Sequence, residues 1–409
     1  MLAFVASYII PFLVIICAIV TFHELGHYAV GRLFGTRVER FSVGFGPILL
    51  RRLDKRGVEW CISALPLGGY VKFAGDDNIM SMSPSAEELD AARAAITERE
   101  GAAAVSDYFH FKPLWQRFLI ILAGPATNFV LAILAFALAF QIAGDNYTQP
   151  LVGKVIVGSP AEAGGFKAGD RILVVDGRQV RSFEEVQEVV MLRATSAIPF
   201  TVVRGGQTVA LTATPARTML LDPETHKPMM SGGQLGLQSA GPQEHHPIGP
   251  LSAVGLGYRE TWWALDSNLS YIGRMFMGKE KADQLSGVLG MAKATGDQTE
   301  RVVHEAGPWW LTAINLFLRY LQLMALISIG VGFFNLLPVP ALDGGHLAFY
   351  AWQAVTRRPV SAGFQNVAFR VAAVLIIGLV LFAAWNDIRH IGADLDLSGV
   401  AKFVKGVFS

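Results

Sequence analysis

His23, Glu24 and His27 stand in the run His23-Glu24-Leu25-Gly26-His27, the spacing H-E-x-x-H. On a helix, positions i and i+4 share a face, so both imidazoles can reach one metal ion, and Zn²⁺ accepts imidazole nitrogen. The glutamate between them falls beside a metal-bound water and can accept its proton, which is the chemistry of metal-assisted hydrolysis. Two histidines leave a catalytic zinc short, because such a site wants three protein ligands and one open position. The third candidate is Asp343, in the run NLLPVPALDGGH over 335–346. A carboxylate is an ordinary zinc ligand.

The elements that must position these residues are apolar. The 409 residues are 52% hydrophobic and 16% charged, against roughly 25% charged in an average soluble domain. The mean hydropathy is +0.41. Four segments can span a bilayer: Met1–Phe22, Phe118–Gly144, Tyr320–Leu342 and, shortest, Val371–Asn386. The first leads directly into His23, and ionisable groups at the end of an uncharged span are costly and kept for function. It has no basic n-region and is too long for an h-region, so it reads as a retained span and not as a signal peptide. Basic residues near the span ends set orientation. Arg32, Arg37, Arg40, Arg51, Arg52, Lys112 and Arg117 lie between the first two spans, and Arg357 and Arg358 between the last two. Both termini are therefore expected outside, with 35–117 and 343–366 cytoplasmic and 145–306 outside. This puts Asp343 at the same cytoplasmic end as His23 and His27. The net charge of +1 argues against a nucleic-acid partner, which would need a clustered basic face. Two cysteines, Cys17 and Cys61, cannot build a disulfide framework and read as packing residues.

Between the first two spans, FSVGFGPILL, RRLDKRG and VEWCISALPLGGYVKF read as a β-hairpin around a charged turn. Its apolar content suits a hairpin dipping into the membrane, provided protein or a wet cavity satisfies its backbone. Ser85–Val105 reads as a polar surface helix, with Ser85 as N-cap and Glu88 closing a capping box. Over 150–217, strands near Gly153–Val157 and Arg171–Val175 enclose a short helix at Pro160–Gly165. Asp176-Gly177 is a hairpin turn, a second helix starts at Ser182, and PFTVVRGGQTVALTATPAR is a further hairpin. Gly158-Ser159-Pro160-Ala161, Ala163-Gly164, Gly169-Asp170-Arg171-Ile172 and Asp176-Gly177 resemble a PDZ domain of the circularly permuted bacterial type. That resemblance implies a peptide groove whose strand edge comes late, from Gln234, Leu235, Gly236 and Leu237 after Gly233. Residues 249–276 carry apolar side chains at helical spacing, and QLSGVLGMAKATG after them reads as a glycine-punctuated loop.

HELGH in the first span, Gly124-Pro125-Ala126-Thr127-Asn128 in the second and Asn335…Pro338-Val339-Pro340-Ala341-Leu342-Asp343-Gly344-Gly345 in the third resemble the site-2 protease family. The order of spans, the inserted PDZ-like segment and FKPLWQR before the second span resemble its bacterial RseP-type branch, over almost the whole chain. The resemblance implies a polytopic α-helical membrane protein of four transmembrane helices, with a membrane-associated β-hairpin and an inserted circularly permuted PDZ domain. Its parts fall at 1–34 (first helix), 35–113 (cytoplasmic, with the hairpin), 114–144 (second helix), 145–240 (periplasmic PDZ domain) and 241–308 (periplasmic amphipathic segment). The third helix with its LDG motif follows at 309–346, a cytoplasmic loop at 347–366, the fourth helix at 367–388 and a periplasmic tail at 389–409. The implied activity is an intramembrane zinc metalloprotease of the bacterial inner membrane, with one Zn²⁺ on His23, His27 and Asp343 and Glu24 as general base. Asn335 would hydrogen-bond the substrate backbone, and Asn128 would support the site. The edge at Gly68, Gly69, Tyr70 and Val71 would pair with a substrate helix unwound into a strand. Unwinding has a physical reason, since an intact helix hides its peptide carbonyls. The implied substrates are single-span membrane proteins, such as a pre-cleaved anti-sigma factor, or remnant signal peptides.

His346 lies close to Asp343 and reads as a residue supporting the ligands or as structural, beside a complete ligand set, and His110, His245 and His246 read as non-ligands. The chain departs from the RseP pattern in carrying one PDZ-like segment where the best-known branch has two, and Val288 where proline is frequent. The competing class is a non-catalytic PDZ-containing membrane scaffold, for which the metal residues would be dispensable. A transporter would need inverted repeats or charges deep in several spans, and neither is present.

Overall fold

In a computed structural model, residues 5–75, 86–221, 228–278, 287–304 and 307–394 are described. The chain divides into two units: Met1–Leu138 with Gly257–Leu265 and Leu285–Ser409, and Ala139–Leu256 with Asp266–Gln284.

Four helices are long and apolar enough to cross a membrane: Ser7–Leu33, Leu114–Ala143, Trp309–Leu336 and Gly363–Ile388. The first consists of one π turn, Val5–Ile9, and α1, Ile10–Leu33. Phe12, Ile15, Ile19, His23, Gly26 and His27 are its buried stripe, at the three- and four-residue spacing of one helix face. The helix continues past the histidines through Leu33, so both imidazoles sit inside a continuous helix. After it come β1 (Val38–Leu53), β2 (Glu59–Phe73) and α2 (Ala86–Glu100). Ser85, the expected cap of α2, lies outside the described residues.

The two strands are more than a simple hairpin. Each of Arg40, Phe41, Ser42 and Val43 has two partners, one within 59–62 and one within 69–72. β2 therefore doubles back on itself and embraces the first half of β1. Gly44 makes this possible: it has φ +90°, and a Cβ there would lie 2.8 Å from the Leu65 carbonyl oxygen and 2.9 Å from that of Ser63.

The second spanning helix is α3, Leu114–Ala143. In the second unit, α4 (Pro160–Ala163) and α5 (Phe183–Leu192) are capped by Ser159 and Ser182. Its strands are β3 (Asp145–Thr148), β4 (Val152–Val155), β5 (Arg171–Val175), β6 (Arg178–Gln179), β7 (Ile198–Arg204) and β8 (Gln207–Ala213). β9 (Ala216–Leu221), β10 (Pro228–Gln234), β11 (Leu237–Ser239) and β12 (Gln243–His246) complete it. The order β6-β5-β7-β8 forms one sheet, and β9–β10, β4–β11 and β3–β12 form two-stranded pairs. Asp176 and Gly177 both have positive φ, as the turn between β5 and β6 requires. Ile172, Val175, Val186, Ile198, Phe200 and Val202 are its fully buried core.

Three expected boundaries shift. The glycine-punctuated loop is largely the helix α7, Val288–His304, which follows α6, Pro250–Phe276. The amides of Gly287 and Gly290 donate to the Asp387 carboxylate at 3.0 and 2.8 Å, which caps α7 at its start. Gly296 packs against the Tyr8 ring, so of these three glycines two serve the cap and one a helix contact. The third spanning helix, α8, runs Trp309–Leu336 and contains Arg319; Pro338 and Pro340 follow its end. Asp343 therefore opens a separate helix, α9 (Asp343–Thr356), which occupies much of the expected 347–366 loop. The last helix, α10, covers Ala362–Asp394, beyond the expected 367–388, and 395–409 lie outside the described residues.

Candidate metal centre

α1 brings His23 and His27 onto its buried face with ring centroids 4.8 Å apart. Asp343, at the first position of α9, meets both: its Oδ2 lies 3.1 Å from His23 Nε2 and 3.6 Å from His27 Nε2. The two Nε2 atoms are 3.1 Å apart. The three groups can each offer one ligand atom within 4.8 Å of the others. Gly344 and Gly345 let α9 start here, since a Cβ at Gly344 would lie 2.2 Å from the Leu337 carbonyl oxygen and one at Gly345 2.4 Å from that of Val339. The carboxylate also occupies the helix end where negative charge is favoured.

Each imidazole is held from behind. His27 Nδ1 is 2.8 Å from the Ile120 carbonyl oxygen. That oxygen only accepts, so Nδ1 carries the proton and Nε2 is left with its lone pair toward Asp343. His23 Nδ1 is 3.1 Å from the Asn128 amide nitrogen, while Asn128 Oδ1 is buried without a partner. Rotating that amide by half a turn satisfies both observations: Oδ1 accepts from His23 Nδ1–H, and His23 Nε2 is freed. Asn128 is completely buried on α3, where Ser328 of α8 donates to its carbonyl at 2.9 Å.

Gly124 supplies the floor. A Cβ there would lie 2.3 Å from His27 Nε2 and 2.8 Å from His23 Nε2. Gly26 performs the reciprocal service, since its Cβ would lie 2.4 Å from the Ala123 carbonyl oxygen. The motifs HELGH and GPATN thus meet through their glycines.

Glu24 faces a cavity of about 220 Å³ lined also by His23, His27, Gly69, Tyr70, Val71, Asp343 and His346. The Val71 amide donates to Glu24 Oε2 at 3.1 Å. Val71 and Gly69 are partnered with Phe41 and Val43 on β1, and the Val71 N–H points away from that ladder, so this edge of the sheet faces the cavity. Of the expected site residues, His23, Glu24, His27, Asp343, Gly69, Tyr70 and Val71 come together in this cavity, with Asn128 behind them. Gly68 lies against the Phe45 ring, and Asn335, half-buried in the last turn of α8, is not among the cavity's lining residues. His346 also lines it, one helical turn beyond Asp343, beside the three candidate ligands and not among them.

A model of peptidase family M50 matches residues 11–379. The chain belongs to peptidase family M50. The metalloprotease MmpA of Caulobacter vibrioides is 46% identical to it over 405 residues, 98% of each chain. A protein of Agrobacterium fabrum described as a candidate zinc metalloprotease is 40% identical over 391 residues, 95% of this chain and 97% of its own. A similarly described protein of Mesorhizobium japonicum is 37% identical over 381 residues. The matched M50 span contains His23, Glu24, His27, Asn128 and Asp343.

In the second unit, a cavity of about 520 Å³ runs between α5 and the segment 233–238. Gln234, Leu235, Gly236 and Leu237 all line it, opposite Phe183, Val186 and Val190. Leu237 pairs with Val155, and the Gly236 carbonyl accepts from Ile156 at 2.9 Å, so one side of this segment is already in a ladder and the other faces the groove.

Proposed function

We propose that this M50 chain is a zinc endopeptidase that hydrolyses peptide bonds within transmembrane segments of single-span membrane proteins. The observation that carries this reading is the convergence of His23, His27 and Asp343, with Glu24 beside them, on a helix that is long and apolar enough to cross a membrane. The donor set of two imidazoles and one carboxylate, the glycine floor at Gly124 and the tautomers fixed by Ile120 and Asn128 all suit a zinc ion. His23, His27 and Asp343 would hold one Zn²⁺. Bound there, it would polarise the scissile carbonyl and acidify a water.

The chain's own groups carry the remaining steps. Glu24 takes the proton of the attacking water and passes it to the leaving amine. The Val71 amide fixes the direction of the Glu24 carboxylate. The outer edge of β2 at Gly69–Val71 receives the substrate as an added strand, supplying the backbone hydrogen bonds that the substrate loses on unwinding. Asn335 would bind substrate backbone after a rearrangement that brings the end of α8 toward the cavity.

The second unit is read as a permuted PDZ domain whose groove at Gln234–Leu237 holds a peptide segment. The biological reading is regulated intramembrane proteolysis in a bacterial inner membrane, with the second unit periplasmic. Substrates would be a membrane-tethered anti-sigma factor trimmed beforehand, or remnant signal peptides.

Co-expression with a tagged single-span substrate tests the reaction. The wild type is expected to cut inside the span, and Glu24→Gln to retain metal while uncut substrate accumulates; equal cleavage by both removes Glu24 from the chemistry. Asp343→Ala is expected to lose zinc by metal analysis, and full occupancy in that variant would remove Asp343 from the site.

A further inference from the structure

Among the described residues, the turn joining β1 to β2 leaves a set of large apolar side chains uncovered on its outer side. Ile48, Leu49, Leu50, Leu53, Ile62 and Leu65 are all exposed there, from 39% to 68%. Around the turn stand Arg51, Arg52, Lys55 and Arg56, all exposed. Arg51 reaches Glu59 at 3.5 Å, but Glu59 is also bonded by Arg40. Asp54 is turned inward, accepting from the amides of Arg56 and Val58 and from Trp60 Nε1. Among the described residues, Arg52, Lys55 and Arg56 make no ion pair. Six exposed large apolar side chains beside cations that make no ion pair among the described residues mark an interaction surface.

The depth of this turn is fixed by its contacts with α1. The Trp60 ring packs edge-on against Tyr28 at 5.3 Å between centroids, and Asp54 is bonded to that same Trp60. Tyr28 stands five residues before Leu33, where the first spanning helix ends. The cations therefore lie level with the end of a membrane-spanning helix, where headgroups are found. On α1 itself Phe22, Leu25 and Leu33 are also exposed.

We propose that this turn is a docking surface for anionic phospholipid, with Arg52, Lys55 and Arg56 on headgroup phosphates and Leu49, Leu50 and Leu53 among the acyl chains. Charge complementarity between three cations and headgroup phosphate, beside exposed leucines, chooses lipid over a protein partner. The tether holds the sheet whose opposite edge faces Glu24. The inference rests on α1 crossing a bilayer and does not depend on the hydrolytic reading.

The test reconstitutes the full chain in bilayers of phosphatidylcholine, with or without phosphatidylglycerol, and measures which lipid stays bound by native mass spectrometry. A fluorophore on Leu50→Cys, in a background lacking Cys17 and Cys61, reports quenching by nitroxide lipid against aqueous iodide. Each basic side chain near an acidic surface is worth roughly fivefold in binding, so Arg52→Gln/Lys55→Gln/Arg56→Gln should lower the preference for phosphatidylglycerol by tenfold or more. Arg52→Lys/Arg56→Lys should keep it, and added salt should weaken it in the wild type. The fluorophore should be quenched from the lipid. An unchanged preference in the glutamine variant, no salt effect, quenching by iodide alone, displacement by soluble glycerol phosphate as readily as by lipid, or protection only when a second protein is added would each overturn the proposal. Should the glutamine variant fail to fold, the lysine variant and the salt series still decide it. Wild-type lipid preference is read whether or not the chain cleaves a substrate, so this proposal and the hydrolytic one fail separately.

Discussion

Gly124 matters to the centre as much as the side chains that meet above it. The nearest imidazole nitrogen is already where a methyl group would go, 2.3 Å away, and the floor is helix backbone that cannot retreat alone. Gly124→Ala should therefore push His27 and His23 off Asp343, at a cost of about 1–3 kcal/mol in packing and with most of the zinc lost. Metal analysis of the purified variant checks this, and full occupancy would show that the helices part without disturbing the ligands. Asn128→Ala leaves His23 Nδ1 without its partner, and the loss of such a support lowers metal affinity by about 10–100-fold. Competition against a chelator measures it; unchanged affinity would mean that Asn128 only fills space. The His-Glu-His spacing was legible in the sequence because its meaning is local, one face of one helix. Asp343 was legible because two chain segments had to end on one side. The parts played by Gly124 and Asn128 were not, since each is a property of how α3 packs against α1.

The same division holds for elements. The turn at Asp176-Gly177, the caps at Ser159 and Ser182 and the hairpin of β7 and β8 follow from neighbouring residues and match the sequence pattern. The doubling of β2 around β1 does not, because Gly44 needs its freedom to clear residues some twenty positions away. Nor does α7, whose glycines read as loop until Asp387, about a hundred residues on, supplies the cap. The second unit is locked by a pair that links α4's following turn to β7. Asp170 is fully buried and accepts from Arg204 Nε at 2.7 Å and from the Lys167 amide at 2.8 Å. Burial works to raise its carboxyl, yet these hydrogen bonds and the guanidinium charge hold it below the ordinary value. A lowered folded-state pKa means that the stabilisation is present above the ordinary carboxylate range and is lost as pH falls through the lowered value. Asp170→Asn should cost on the order of 3 kcal/mol, since it leaves Arg204 without its charge partner. Thermal unfolding of the full chain followed against pH tests both points. The variant should melt lower at neutral pH and converge on the wild type in acid, and a constant gap down to strongly acidic pH would assign the effect to shape and not to charge.

At the scale of the whole molecule, the four crossings proposed above would impose a parity. Under that proposal the segments after the first and third spanning helices are expected on one side of the membrane and the segment after the second on the other. His27 is six residues from the end of the first, and Asp343 seven residues beyond the end of the third. On that reading parity alone, without metal geometry, brings both to the same face, and the arginines at 32, 37, 51, 52, 357 and 358 are the basic bias expected of a cytoplasmic face. Arg319 inside the third helix and Arg370 near the start of the fourth do not change the count of crossings. The expected consequence is measurable with single cysteines at Lys55 and Thr208, both exposed. In intact cells an impermeant maleimide should label Thr208→Cys, on β8 of the second unit, and reach Lys55→Cys only after the membrane is opened. Cys17→Ser and Cys61→Ala remove the background. Labelling of both positions from outside would mean that α3 does not cross between them, and the placement of the centre within the membrane, on which cleavage of a transmembrane segment depends, would go with it.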